Sequence, residues 1–130
     1  MAADARNVFR PASADVAQLL DGLATCVLWL DADGAILHLN EPAEDLLAVS
    51  RNQATGRAVR DLLKGNVELE AVISRARAAA MQYSRRELPF ECGAAAPPRF
   101  VNLTVTPFDA PGFPGGALVE IADVTQHQRI

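Results

Sequence analysis

Residues 26–40 read Cys26-Val-Leu-Trp-Leu-Asp31-Ala-Asp-Gly34-Ala-Ile-Leu-His38-Leu-Asn40, and the fold follows from them. Cys26 to Leu30 is apolar at every position, the pattern of a strand covered on both faces and therefore central in its sheet. Asp31-Ala-Asp-Gly34 then supplies turn chemistry, its Asp33-Gly34 pair tolerating positive φ, and Ala35 to Leu39 returns as the second strand of an antiparallel hairpin. At Asn40 the apolar period changes from strand to helix. Asn40 can cap, Pro42 is tolerated in a first turn, and Ala43, Leu46 and Leu47 recur at helical spacing.

Downstream, Gly56 and Gly65 bracket a short helical piece carrying Val59, Leu62 and Leu63, with Arg57, Arg60 and Asp61 facing out. Asn66 is expected to cap the longest helix, whose buried stripe would be Leu69, Val72, Ile73, Ala76 and Ala80. Ser84 to Cys92 alternates as a strand, but Pro89 lacks the N–H that a central ladder needs, which assigns it to a sheet edge. Gly93 to Pro98 reads as a hairpin loop. Phe100 to Thr106 sets Val101, Leu103 and Val105 against Asn102, Thr104 and Thr106, one apolar face and one polar face, and Pro107 is expected to close it. Pro111-Gly112 and Pro114-Gly-Gly116 mark the next turn, and Ala117 to Val124 is a fifth strand.

Upstream, residues 1–12 have no period and read as a flexible arm. Ser13 is a candidate cap for a short helix in which Val16, Leu19, Leu20 and Leu23 fall at i, i+3, i+4 and i+7. At the other end, residues 126–130 look like the beginning of a helix that continues.

The chain has 130 residues, half of them apolar and 22% charged, enough for one domain with a core. Twelve basic against sixteen acidic residues give a net charge of −4, so neither nucleic acid nor an anionic membrane is an expected partner. With no long apolar run and no signal pattern, a soluble, cytoplasmic protein is expected. Cys26 and Cys92 are far apart and lack a CxxC context, and read as reduced, buried thiols.

The order of helix, hairpin, inserted helices and three antiparallel strands resembles a PAS domain over residues 13–125. The resemblance rests on the Asp33-Gly34 hairpin, Asn40-x-x-Ala43, Gly56-Arg57 and Asp123-Val-Thr125, taken in order. It implies an α+β fold with sheet order 2-1-5-4-3, helices on one face and an N-terminal amphipathic helix. Leu19 to Asp31 and Asp123 to Ile130 further resemble the sensory domains of the nitrogen-regulatory histidine kinases of the NtrB type. That likeness implies a module without catalysis of its own inside a cytosolic bacterial two-component kinase. Kinase domains, a PII-type signal protein and a response regulator would be the partners of the whole protein.

The chain has no GxSxG, HExxH, P-loop or GxGxxG, and two histidines at unrelated places, so an enzyme is not expected. Asp31 and Asp33 read as turn residues rather than metal ligands. Haem-binding relatives need a histidine on the long helix, and residues 67–82 contain none. Photoactive flavin relatives carry Asn-Cys-Arg on an inserted helix, which is absent too. No cofactor is expected, although flavin or another small ligand between the sheet and residues 66–82 stays open, and with it an alternative reading as a small-molecule sensor. Trp29 and His38 read as packed and hydrogen-bonded residues.

Two groups are expected to carry function. Val16, Leu19, Leu20 and Leu23 must be buried on the sheet's outer face, on a second copy, or on both, and are assigned to a homodimer interface. Asp123 and Thr125 stand where the last strand leaves the domain and are assigned to signal transmission, Thr125 as a helix cap and Asp123 through an arginine or backbone N–H groups.

Overall fold

The computed structural model describes residues 15–91 and 99–125. The expected arm, the Ser13 cap, Cys92, the loop 93–98 and the segment 126–130 lie outside the described residues. In chain order the elements are α1 (helical over residues 15–21), β1 (Cys26–Leu30), β2 (Ile36–Leu39), α2 (Glu41–Leu47), α3 (Arg51–Ala54), α4 (Val59–Leu62), α5 (Val67–Ala79), β3 (Tyr83–Phe90), β4 (Arg99–Ala110) and β5 (Phe113–Asp123).

The five strands form one antiparallel sheet in the order β2-β1-β5-β4-β3. All five residues of β1 are buried, as a strand flanked on both sides and covered on both faces requires. β3, which contains Pro89, is an edge. On the inner face Leu28, Leu30, Leu103 and Val119 meet Leu69 and Ile73 of α5 in the main core. On the outer face Val27, Trp29 and Ala110 form a second, smaller cluster with Leu20 of α1. The hairpin turn is held by Asp31, whose carboxylate accepts the N–H groups of Asp33 and Ala35 at 2.9 Å, and Gly34 takes φ +87°.

Several local expectations are corrected. Pro107 does not close β4, which runs on to Ala110. β3 pairs no further than Val105, so past that residue β4's edge is vacant and a residue without an N–H is tolerated. Pro114-Gly-Gly116 lies inside β5, where Gly116 pairs with Phe108, and β5 ends at Asp123 rather than Val124. Asn66 precedes α5 without capping it. Its amide instead exchanges two hydrogen bonds with the backbone of Glu91, at 2.8 and 2.9 Å, and pins the helix start to the end of β3. Ala80 is not core: it is exposed and ends α5 in the left-handed region. α3 is an additional helix, fixed by a capping box between Ser50 and Gln53.

Candidate functional site

The leucine stripe of α1 divides. Val16 and Leu20 turn onto the outer sheet face, against the cluster of Val27, Trp29, Phe108, Phe113 and Leu118. Leu20 is 5% exposed, whereas Leu19 is 72% and Leu23 46% exposed. Trp29 anchors this layer edge-on to Phe108 and Phe113, with ring centroids 6.1 and 5.4 Å away, and its buried indole N–H has no partner.

Polar contacts fix where α1 ends. Asn40 is fully buried, and its side-chain oxygen accepts the N–H groups of Val27 (3.0 Å) and Ala43 (3.2 Å). Its amide nitrogen donates to the carbonyls of Thr25 (2.7 Å), Leu20 (3.0 Å) and Leu23 (3.3 Å). One side chain thus caps α2, holds the beginning of β1 and satisfies carbonyls at the end of α1. His38 lies on the outer face opposite Trp29 and bonds Asp21 at 2.8 Å through Nε2, and Arg51 reaches the same carboxylate oxygen at 3.1 Å. The end of α1 is therefore tied to β2, α2 and α3 at once.

A second network closes the strand exit. Asp123 accepts the N–H of Thr125 (2.9 Å) and its hydroxyl (2.5 Å), and pairs with Arg99 at 3.3 Å. The Thr125 hydroxyl oxygen in turn accepts the N–H of Phe100 at 3.1 Å. Asp123 and Thr125 therefore clamp the end of β5 to the beginning of β4, and any capping of a following helix lies outside the described residues. The Thr125 hydroxyl above all, helped by the Thr125 N–H and the Arg99 guanidinium, holds the Asp123 carboxyl below the usual carboxylate range, against desolvation, the second-largest influence, which pushes it up. With its folded value depressed, this group contributes stability above the unfolded carboxyl range near about 3.9 and loses it as pH falls through the lower folded value.

Among the described residues no group of three or more His, Cys, Asp or Glu is placed to hold a metal. The face of α5 turned toward the sheet is packed by its own core side chains. A cavity of about 440 Å³ opens instead between the β1–β2 turn, α4 and α5, and a shallower one of about 510 Å³ lies near Thr25, Asp45 and Asp123.

Cys26 sits in the core, and burial pushes its thiol up to about 12. The folded thiol stays protonated where the unfolded one ionises. As pH rises above about 8.5 the unfolded state therefore loses its proton first and stability falls, by up to about 1.4 kcal/mol per pH unit. Urea melts from pH 8 to 10.5 should show this loss in the wild type and relieve it in Cys26→Ala. Equal slopes would mean that Cys26 ionises freely in the fold.

The sequence matches the PAS fold over residues 20–129. The chain belongs to the PAS family. No curated protein matches it. Among solved structures it is similar to the LOV protein of Rhodobacter sphaeroides, at 17% identity and TM-score 0.73, over 92% of this chain and 70% of that one. It is similar also to the PAS domain of nitrogen regulation protein NR(II) from Vibrio parahaemolyticus, at 19% identity and TM-score 0.63, over 84% and 97%. A third is a PAS domain from a two-component sensor histidine kinase, at 12% identity and TM-score 0.64, over 85% and 94%. At these identities the likeness shows the shared PAS fold. No described helix is long and apolar enough to cross a membrane.

Sequence reading placed His38 but missed Asn40 as more than a cap, and missed Asp21 and Arg51 entirely. A single asparagine between an apolar strand and a helix beginning with proline was the available signal. Nothing local in the sequence pairs residues 21, 38 and 51.

Proposed function

We propose that this PAS domain is the regulatory and dimerisation module of a cytosolic two-component histidine kinase of the nitrogen-regulatory type. It relays signal from its sheet through the exit at Asp123 and Thr125 to kinase and phosphatase regions elsewhere in the protein. The PII-type signal protein and the response regulator act on those other regions. The observation that carries the reading is the division of the leucine stripe: one strip of α1 is spent on its own sheet, while Leu19 on α1 and Leu23 just past its end stay exposed beside a helix terminus that is held firmly. A symmetric contact between two copies buries those two leucines. The NR(II) and sensor-kinase PAS domains among the similar structures support the kinase setting.

The test is the oligomeric state. Light scattering at tens of micromolar should give a dimer for the wild type and a monomer for Leu19→Glu/Leu23→Glu with an unchanged circular dichroism spectrum, a loss of about 100-fold or more in affinity. Leu20→Glu does not serve, because Leu20 is buried within its own chain. A monomeric wild type, or a double variant that stays dimeric, contradicts the interface.

The alternative, a small-molecule sensor, is favoured by one observation, the charged cavity beside α5.

A further inference from the structure

The cavity of about 440 Å³ between the β1–β2 turn, α4 and α5 has a size in the range of small-ligand pockets. Its wall carries Arg60 and Arg77 against Asp33 and Glu70, and none of the four forms a salt bridge among the described residues. Opposite charges lining one concavity without pairing leave their electrostatic demand to something that enters it.

Arg77 is the fixed member. Its guanidinium donates to the Ala32 carbonyl, and its Nε, shielded from solvent, has no hydrogen-bond partner. Gly34 makes this placement possible, since a Cβ there would come within 2.9 Å of Arg77 Nη1. Arg60 lines the same cavity and is exposed, and the buried Val59 and Ile73 give the lining an apolar part.

We infer that this cavity binds a zwitterion the size of an amino acid, its carboxylate held by the arginines and its ammonium by Asp33 and Glu70. Two cations and two anions make the lining neutral overall, so a dicarboxylate would meet Asp33 and Glu70 unfavourably, and a diamine would meet the arginines. A zwitterion satisfies both signs and leaves the apolar floor for its side chain. The inference rests on the sensing reading of the module and does not require the dimer.

The experiment is a thermal-shift screen of the domain with each common L-amino acid at millimolar concentration, with succinate and putrescine as single-sign controls. Calorimetric titration of any hit follows. At least one amino acid should raise Tm by about 5 °C in a saturable way, while succinate and putrescine do not. Arg60→Met, at an exposed position, should keep the fold and weaken that binding about tenfold or more, and Arg77→Met should abolish it. The shift should persist in Leu19→Glu/Leu23→Glu, which separates a failure of the site from a failure of the dimer. No shift with any amino acid, an equal shift with succinate or putrescine, or wild-type affinity in Arg60→Met overturns the inference.

Discussion

Asn40→Asp should cost about 4 kcal/mol or more, enough to leave much of the domain unfolded at room temperature. The substitution changes a single group, the side-chain NH₂, which donates to three backbone carbonyls from a fully buried position. An aspartate turns an anionic oxygen toward those three acceptors and removes their shared donor, leaving the Leu20 carbonyl only the Leu23 N–H. Such a carboxyl is driven to stay protonated in the fold, so the penalty should grow as pH rises above about 3.9, where the unfolded state ionises. Asn40→Ala keeps the site uncharged but leaves the Val27 N–H unpaired and takes the donor from the Leu23 and Thr25 carbonyls, while the Ala43 N–H keeps the Asn40 backbone carbonyl, and should cost about 3 kcal/mol. Urea denaturation of the three proteins at pH 7 and pH 4 measures both effects. A loss below about 1 kcal/mol for Asn40→Asp would mean that α1, β1 and α2 are not joined through this residue.

Gly116→Ala should be nearly as damaging, at about 3 kcal/mol, although it adds one methyl group. Gly116 sits in β5 close against both neighbouring strands: a Cβ would overlap the Leu30 carbonyl oxygen and lie 3.2 Å from that of Phe108. Both obstacles are backbone of neighbouring strands, so relief requires the sheet to move. Gly22 provides the contrast, since a Cβ there meets nothing closer than 3.5 Å, and Gly22→Ala should be neutral or stabilise by up to about 1 kcal/mol. Thermal melts of the two variants side by side make the comparison. Equal behaviour would show that the crowding at Gly116 is relaxed at little cost.

What could be read from the sequence followed from chain-local physics. The uninterrupted apolar run of β1, the Asp31–Gly34 turn and the missing N–H of Pro89 each speak through their own residues and place β1 inside the sheet and β3 at its edge, whereas the full strand order is what the resemblance to PAS domains implies. β4 and β5 ran longer than expected because Pro107 and Gly116 are breakers only where a ladder partner or a Cβ is demanded. At Pro107 the β3 side is vacant, and at Gly116 the absent Cβ is what lets the strands approach. α3 was missed because four residues carry almost no periodicity, and only Ser50-x-x-Gln53 marks it. The leucine stripe of α1 was legible as apolar, but period alone does not say which part is covered. Val16 and Leu20 form one i, i+4 strip that the sheet covers, while Leu19 beside it and Leu23 past the helix end stay exposed. The Asp21, His38 and Arg51 contacts come from three separate elements and exist only once the chain has folded.

The exit network is where, in the function proposed, this PAS domain passes signal from its sheet to the rest of a kinase. Asp123 holds Thr125 and Arg99 together, so Asp123→Ala should loosen the end of β5 against the beginning of β4, where the Val124 and Phe100 backbone contacts remain. Because these contacts are exposed, the domain itself should lose only about 1 kcal/mol and keep its dimer. The measurement is the ratio of kinase to phosphatase activity in the full-length protein carrying Asp123→Ala, with Arg86→Ala, at an exposed residue on edge strand β3, as a control. Asp123→Ala should shift that ratio severalfold and the control should leave it unchanged. An unchanged ratio in a folded, dimeric Asp123→Ala protein would contradict transmission through this exit.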